Sequence, residues 1–317
     1  MPESDALRSA AETAVHQCMA LEAEESCAII TDDDRESIGE LLYAVASEVT
    51  DDSTIVRYPP GDQHGNEPPA PVADAMAGAD VVIAPTTKSL SHTRARGRAN
   101  DAGTRVATMP GIIEAIMAQG LDADYDSIAA ECAALLEQIE DAETVRVITD
   151  RGTDITFEPG DREWIADTGL NHEPGDFSNL PAGEVFVSPE TATGTYVVDG
   201  TMMPHGRLDG RTLRFDVEDG YVTDIEDDDI RDQVEAGAEE VGQAAYNLAE
   251  LGIGTNLGVS ELVGSVLLDE KAGGTVHIAI GDDAGIGGDT EAPLHLDGII
   301  TEPTVYADGE EISLPGT

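Results

Sequence analysis

His277 lies in the segment TVHIAIG, and His295 opens the segment HLDG, where a single residue separates it from Asp297. On an extended strand successive side chains alternate between faces, so H-x-D spacing turns His295 and Asp297 the same way. One imidazole and one carboxylate so placed can share a cation, and a second imidazole on a neighbouring strand would complete a facial set of three donors. The interval 295 − 277 = 18 suits two strands joined by the loop GDDAGIGGDTEAP. Two strand histidines without a metal fit this spacing equally well, because a short H-x-D match often arises by chance.

Asp and Glu supply 65 of the 317 residues, so a pair of carboxylates says little and the seven histidines say more. Two glutamates still stand at element termini, where sites are usually assembled. Glu184 follows a turn in NLPAGEVFVSPE, and Glu250, in AELGIGTN, is expected at the end of a long helix. Taken alone, each would be a surface carboxylate. His92, in SLSHTRAR, falls at the C-terminal end of an expected strand, where open α/β sheets bind ligands, and is a candidate acid or base across a domain cleft. A polar residue starting a helix is its plainer assignment. His205 in a proline turn and the lone Trp164 read as surface turn and packing residue, and GIGTN and GIGG lack the Lys-Ser/Thr of a phosphate loop.

The elements that must position these groups alternate in the first half. Apolar residues at helical spacing run from Ala6 to Ala23, followed by a strand at Ser26–Thr31, a helix to about Val49 and a strand at Thr54–Tyr58. Strands at Asp80–Ala84 and Thr104–Thr108 alternate with further helices, which implies a parallel sheet. After Asp141 the pattern becomes mainly β, beginning with a hairpin over Thr144–Phe157 and interrupted by one long helix from about Asp228 to Ala249. The expectation is an α/β domain with a parallel sheet over residues 1–143, and a β-rich α+β domain carrying the metal site over residues 144–317.

Sixteen Lys and Arg against 65 Asp and Glu leave a net charge of −49, with Lys88 and Lys271 the only lysines. Such a surface repels nucleic acid and anionic membranes. Its regular apolar segments argue for a folded protein adapted to molar salt, where the Debye length falls to about 3 Å and carboxylate repulsion is screened. Cys18, Cys27 and Cys132 have no metal-ribbon spacing and are expected as buried thiols. With neither a signal-like N-terminus nor an 18-residue apolar run, a cytoplasmic location is expected.

Over residues 144–317 the segments NLPAGEVFVSP, AELGIGTN, GTVHIAIG and LHLDG, in this order, resemble the motifs of the M29 metallopeptidases, the aminopeptidase T and leucyl aminopeptidase family, in a short form of haloarchaeal type. APTTKSLSHTRAR followed by RVATMPGI resembles its N-terminal half. The resemblance implies a cytoplasmic homodimer that removes N-terminal residues from peptides with a metal-activated water. It also implies two divalent ions (Zn, Co or Mn) held by Glu184, Glu250, His277, His295 and Asp297, with a glutamate as bridge or general base. The loop after His277 has Ala284 and Gly285 where that family has a tyrosine. Shorter relatives with the same H…H-x-D set include the 2,5-dihydroxypyridine dioxygenases, which would imply a small-molecule substrate and one Fe(II) on His277, His295 and Asp297. A relative that has lost its metal and its activity is the third alternative.

Overall fold

Six consecutive buried residues form β1 (Cys27–Asp32), as expected for a strand covered on both faces. It pairs in parallel with β2 (Ser53–Tyr58), matching Ile29 to Ile55, and with β3 (Val81–Thr86), matching Ile29 to Ile83. β4 (Arg105–Pro110) adds to β3 in the same sense, and β5 (Phe177–Asn179) adds to β4, completing a five-stranded parallel sheet in the order β2-β1-β3-β4-β5. Connecting helices include α1 (Glu36–Val49), which buries Ile38, Leu42, Val45 and Ala46 at helical spacing. The parallel α/β expectation therefore holds for the first half of the chain.

The structure, a computed structural model, describes residues 2–316. The chain divides into two compact units, one running to Ser127 and regaining Thr168–Ala182, the other made of Ile128–Asp167 and the chain from Gly183 onward. A single break after residue 143 does not describe this division, because the chain changes unit three times. The first passage occurs inside α2 (Tyr125–Ile139), and the last follows β5, a strand too short and too polar in sequence to announce itself.

At the N-terminus the helix expected from Ala6 to Ala23 is α-helical over Pro2–Glu12 and π-helical over Thr13–Cys18. It stops at Met19, ahead of Ala20, whose φ of 43° lies outside helical space.

The second unit carries two seven-stranded sheets. One has the order Tyr221–Ile225, Leu213–Glu218, Thr191–Val198, Asp154–Glu158, Val145–Ile148, Thr304–Ala307 and Glu310–Glu311, and contains the expected hairpin. The other holds β6 (Glu184–Val187), β7 (Leu248–Gly254), β8 (Val276–Gly281) and β9 (His295–Ile300) side by side in the order β9-β8-β7-β6, all antiparallel.

The long helix α3 (Asp228–Val241) ends eight residues before the expected Ala249. Gly242 then takes φ 65°, which stops the helix, and after one 3-10 turn the chain enters β7. Glu250 is thus a strand residue, not a helix terminus. All seven residues of β7 are buried, so its sequence lacks the polar alternation that marks a half-exposed strand and reads as a continuation of the helix. Cys18, Cys27 and Cys132 are buried thiols in no disulfide, and burial pushes those of Cys27 and Cys132 up to about 12 and about 11.

Among the described residues no helix is long and apolar enough to cross a membrane.

Candidate metal centre

Directly paired residues of adjacent strands share a sheet face. Along β6 to β9 these pairs are Glu184 with Gly254, Gly252 with His277, Glu250 with Ala279, Ala279 with Asp297, and Gly281 with His295. Acidic and imidazole side chains therefore alternate with glycine and alanine across one face, and the small residues leave the space the larger ones lean into. A bulge between Leu248 and Glu250 sets the register that puts Glu250 opposite Ala279.

The donors gather around Glu250. Its Oε1 lies 3.2 Å from His277 Nε2 and its Oε2 lies 3.2 Å from His295 Nε2. His277 Nε2 is also 3.3 Å from Glu184 Oε2, and His295 Nε2 is 3.3 Å from Asp297 Oδ1. Two sets result, Glu184–Glu250–His277 and Glu250–His295–Asp297, each with its donor atoms within 4.8 Å of one another. His277, His295 and Asp297 thus do not close on one point by themselves; they meet through the two oxygens of Glu250.

The first set is buried, with His277 only 1% exposed, whereas the His295 side chain of the second is 31% exposed. His295 Nδ1 lies 2.7 Å from the carbonyl of Asp282, an acceptor that fixes the proton on Nδ1 and turns Nε2 toward the carboxylates. The loop carrying that carbonyl is pinned by Asp283, which accepts from Ser188 Oγ at 3.0 Å, Asn247 Nδ2 at 2.9 Å and the Thr290 amide at 2.6 Å.

Burial disfavours charge on His277, His295 and Glu250, yet their neighbours outweigh it. Hydrogen bonding to Glu250 and the charges of Glu184, Glu250 and Glu270 bring His277 up to about 9, and Asp297 and Glu250 raise His295 well above its usual range. The two imidazoles in turn hold Glu250 below the usual carboxylate range. These are the shifts of anionic donors waiting for positive charge.

Spacing alone gave no role to Lys271 or Glu270. Lys271 is 2% exposed, and its ammonium bonds Glu184 Oε1 and lies 2.8 Å from Glu270 Oε1. Although burial opposes it, the charges of Glu184 and Glu270 keep this amine protonated well beyond its usual range, while burial lifts the Glu270 carboxyl to about 7. The rarity of lysine in this chain was the available signal. Tyr196 was missed as well: its wholly buried phenol, stacked on Phe215 at 4.5 Å, is raised by burial and by the charge of Asp297.

His92 belongs to the first unit, in the loop after β3, where it is exposed, and the donor sets contain no residue of that unit. Arg94 pairs with Glu67 at 3.3 Å, and the Arg96 guanidinium lies 4.3 Å over the Phe177 ring. His205 joins Asp227 at 2.9 Å, an acid already held by Arg211.

The family model described as NicX, 2,5-dihydroxypyridine 5,6-dioxygenase, matches residues 9–317. The chain belongs to the 2,5-dihydroxypyridine 5,6-dioxygenase family. A curated member from Pseudomonas putida KT2440 is 25% identical over 260 residues, covering 76% of this chain and 71% of its own. The structure of 2,5-dihydroxypyridine dioxygenase from the same organism superposes with a TM-score of 0.79 at 18% identity, over 99% of this chain and 96% of that one. Wild-type AmpT from Thermus thermophilus superposes with a TM-score of 0.68 at 16% identity, over 98% and 100%.

Membership in the dioxygenase family corrects the aminopeptidase expectation. The likeness to AmpT bears out the M29-type fold but, at 16% identity, carries nothing of its activity. The motifs NLPAGEVFVSP, AELGIGTN, GTVHIAIG and LHLDG thus mark a fold common to both groups, and do not distinguish their chemistries.

Proposed function

We propose that this protein is a metal-dependent dioxygenase that opens a dihydroxylated pyridine ring, with His277, His295 and Asp297 holding one Fe(II) beside Glu250. The observation that carries the proposal is the family match over residues 9–317 in a chain whose donor face keeps two imidazoles and an aspartate around one shared carboxylate.

The donor set fits a cation. Ligand atoms about 2.1 Å from one ion and at right angles or tetrahedral angles to each other stand about 3.0–3.4 Å apart, which brackets the imidazole–carboxylate separations of 3.2 and 3.3 Å. Two imidazoles and a carboxylate form the donor type of the non-haem iron oxygenases, with positions left for a chelating substrate and dioxygen.

Bound iron would supply the redox chemistry that the protein's own side chains lack. The chain's residues do the rest. Asp297 and Glu250 place negative charge against both imidazoles, and the Asp282 carbonyl holds His295 with Nε2 directed inward. Gly252 leaves the room that the His277 ring fills. Both oxygen atoms of dioxygen enter the product, so no external reductant is consumed.

The test is dioxygen uptake by Fe(II)-loaded protein in high salt with 2,5-dihydroxypyridine. Uptake with loss of the substrate's aromatic absorbance is expected. Iron-loaded, folded protein that consumes no dioxygen with this substrate or other dihydroxylated pyridines would overturn the proposal.

A further inference from the structure

Two donor sets sharing one carboxylate form the pattern that would hold a pair of ions, and nothing in the imidazole and acid positions alone limits the centre to one. The difference lies in what else touches the sets. Glu184, the acid that belongs to the inner set alone, is taken by the Lys271 ammonium at Oε1, and Lys271 is itself buried beside Glu270. Glu250 and Asp297, the acids of the outer set, pair instead with His277 and His295.

We propose that the Lys271 ammonium stands in for a second metal ion, so that the centre takes one divalent cation and Glu184 is left to Lys271. This rests on the metal-centre reading above but not on its oxygen chemistry. A dication placed among Glu184, Glu250 and His277 would share Glu184 with a fixed positive charge, and the repulsion between them is twice that of two unit charges at the same distance. The ammonium cannot withdraw easily. Its backbone is tied down by the Asn256 amide on the Lys271 carbonyl at 2.8 Å, and a Cβ at Gly254 would strike the Lys271 and Ala272 backbone, so strand and loop are in close contact. A compact ammonium also suits this role, having three donors to share between two carboxylates.

The test counts metal, independently of turnover. Full-length protein in high salt, dialysed anaerobically against Fe(II) and separately against Mn(II), is expected to bind one equivalent. Lys271→Met is expected to bind a second equivalent, with a magnetically coupled manganese pair in the spin-resonance spectrum, whereas Lys271→Arg is expected to remain at one. Two equivalents in the native chain would overturn the proposal, as would a folded Lys271→Met that stays at one. Should Lys271→Met fail to fold, Glu184→Gln decides: affinity for the single ion within about tenfold of native supports the proposal, and a larger loss makes Glu184 a ligand and overturns it. One equivalent of iron without dioxygen uptake would remove the dioxygenase reading and leave this inference standing.

Discussion

The imidazole of His277 occupies the space that a Cβ at Gly252 would fill, the two residues being directly paired across β7 and β8. Gly252→Ala must therefore displace the ring, because the neighbouring backbone is fixed by the ladder on both sides. Metal affinity is expected to fall about 10- to 100-fold while the chain stays folded. Isothermal titration with Mn(II) on the native and variant proteins measures this; an unchanged affinity would show that His277 has no part in binding.

His295→Ala removes the imidazole that bridges Glu250 and Asp297. Its side chain is partly exposed, so no cavity opens in a core and the unfolding midpoint in high salt should be nearly unchanged. Metal binding and dioxygen uptake should both be lost. Full activity in this variant would refute the site.

Glu250→Gln keeps the shape of the side chain and removes the charge that both imidazoles share. The expected result is loss of metal affinity larger than that of Gly252→Ala, since both histidines lose their partner at once. Equal affinity in E250Q and native protein, read by dialysis, would mean that Glu250 only packs.

In the first unit the Arg105 guanidinium lies 2.8 Å from Glu25 and, with burial opposing, its hydrogen bonds hold that carboxyl below its usual 4.5. A carboxyl depressed in the folded state adds stability above its unfolded value and loses it as pH falls through the folded one. Glu25→Gln should thus cost on the order of 1 kcal/mol at neutral pH, and the cost should vanish well below pH 4.5. Urea melts of both proteins at the two pH values test the sign.

With a net charge of −49, self-repulsion should dominate stability at low salt. Raising potassium chloride from about 0.1 M to about 1 M shortens the Debye length from about 10 Å to about 3 Å, so the unfolding midpoint should rise steeply. A flat profile would remove the halophilic interpretation of the composition.

Period-two spacing was enough to put His295 and Asp297 on one face, and the run of buried apolar segments was enough for the parallel sheet. Glu184 and Glu250 were legible as candidates, but not the strand that presents Glu250, since a fully buried strand after a helix shows no change of period. Lys271 and Glu270 stayed hidden because a buried ion pair depends on which loop folds back over the sheet, a long-range fact with no local pattern. The reaction was not legible either. The same donors serve hydrolysis and oxygenation.

The return of Thr168–Ala182 to supply β5 bears on how the polypeptide is made. A ribosome that has released the first 143 residues has not yet delivered the edge of the parallel sheet, and Val145–Ile148 emerges long before Thr304–Ala307, one of the strands it pairs with. Neither half of the gene, expressed separately, encodes a finished unit, so dissection would require joining the two segments of each unit and not a simple cut.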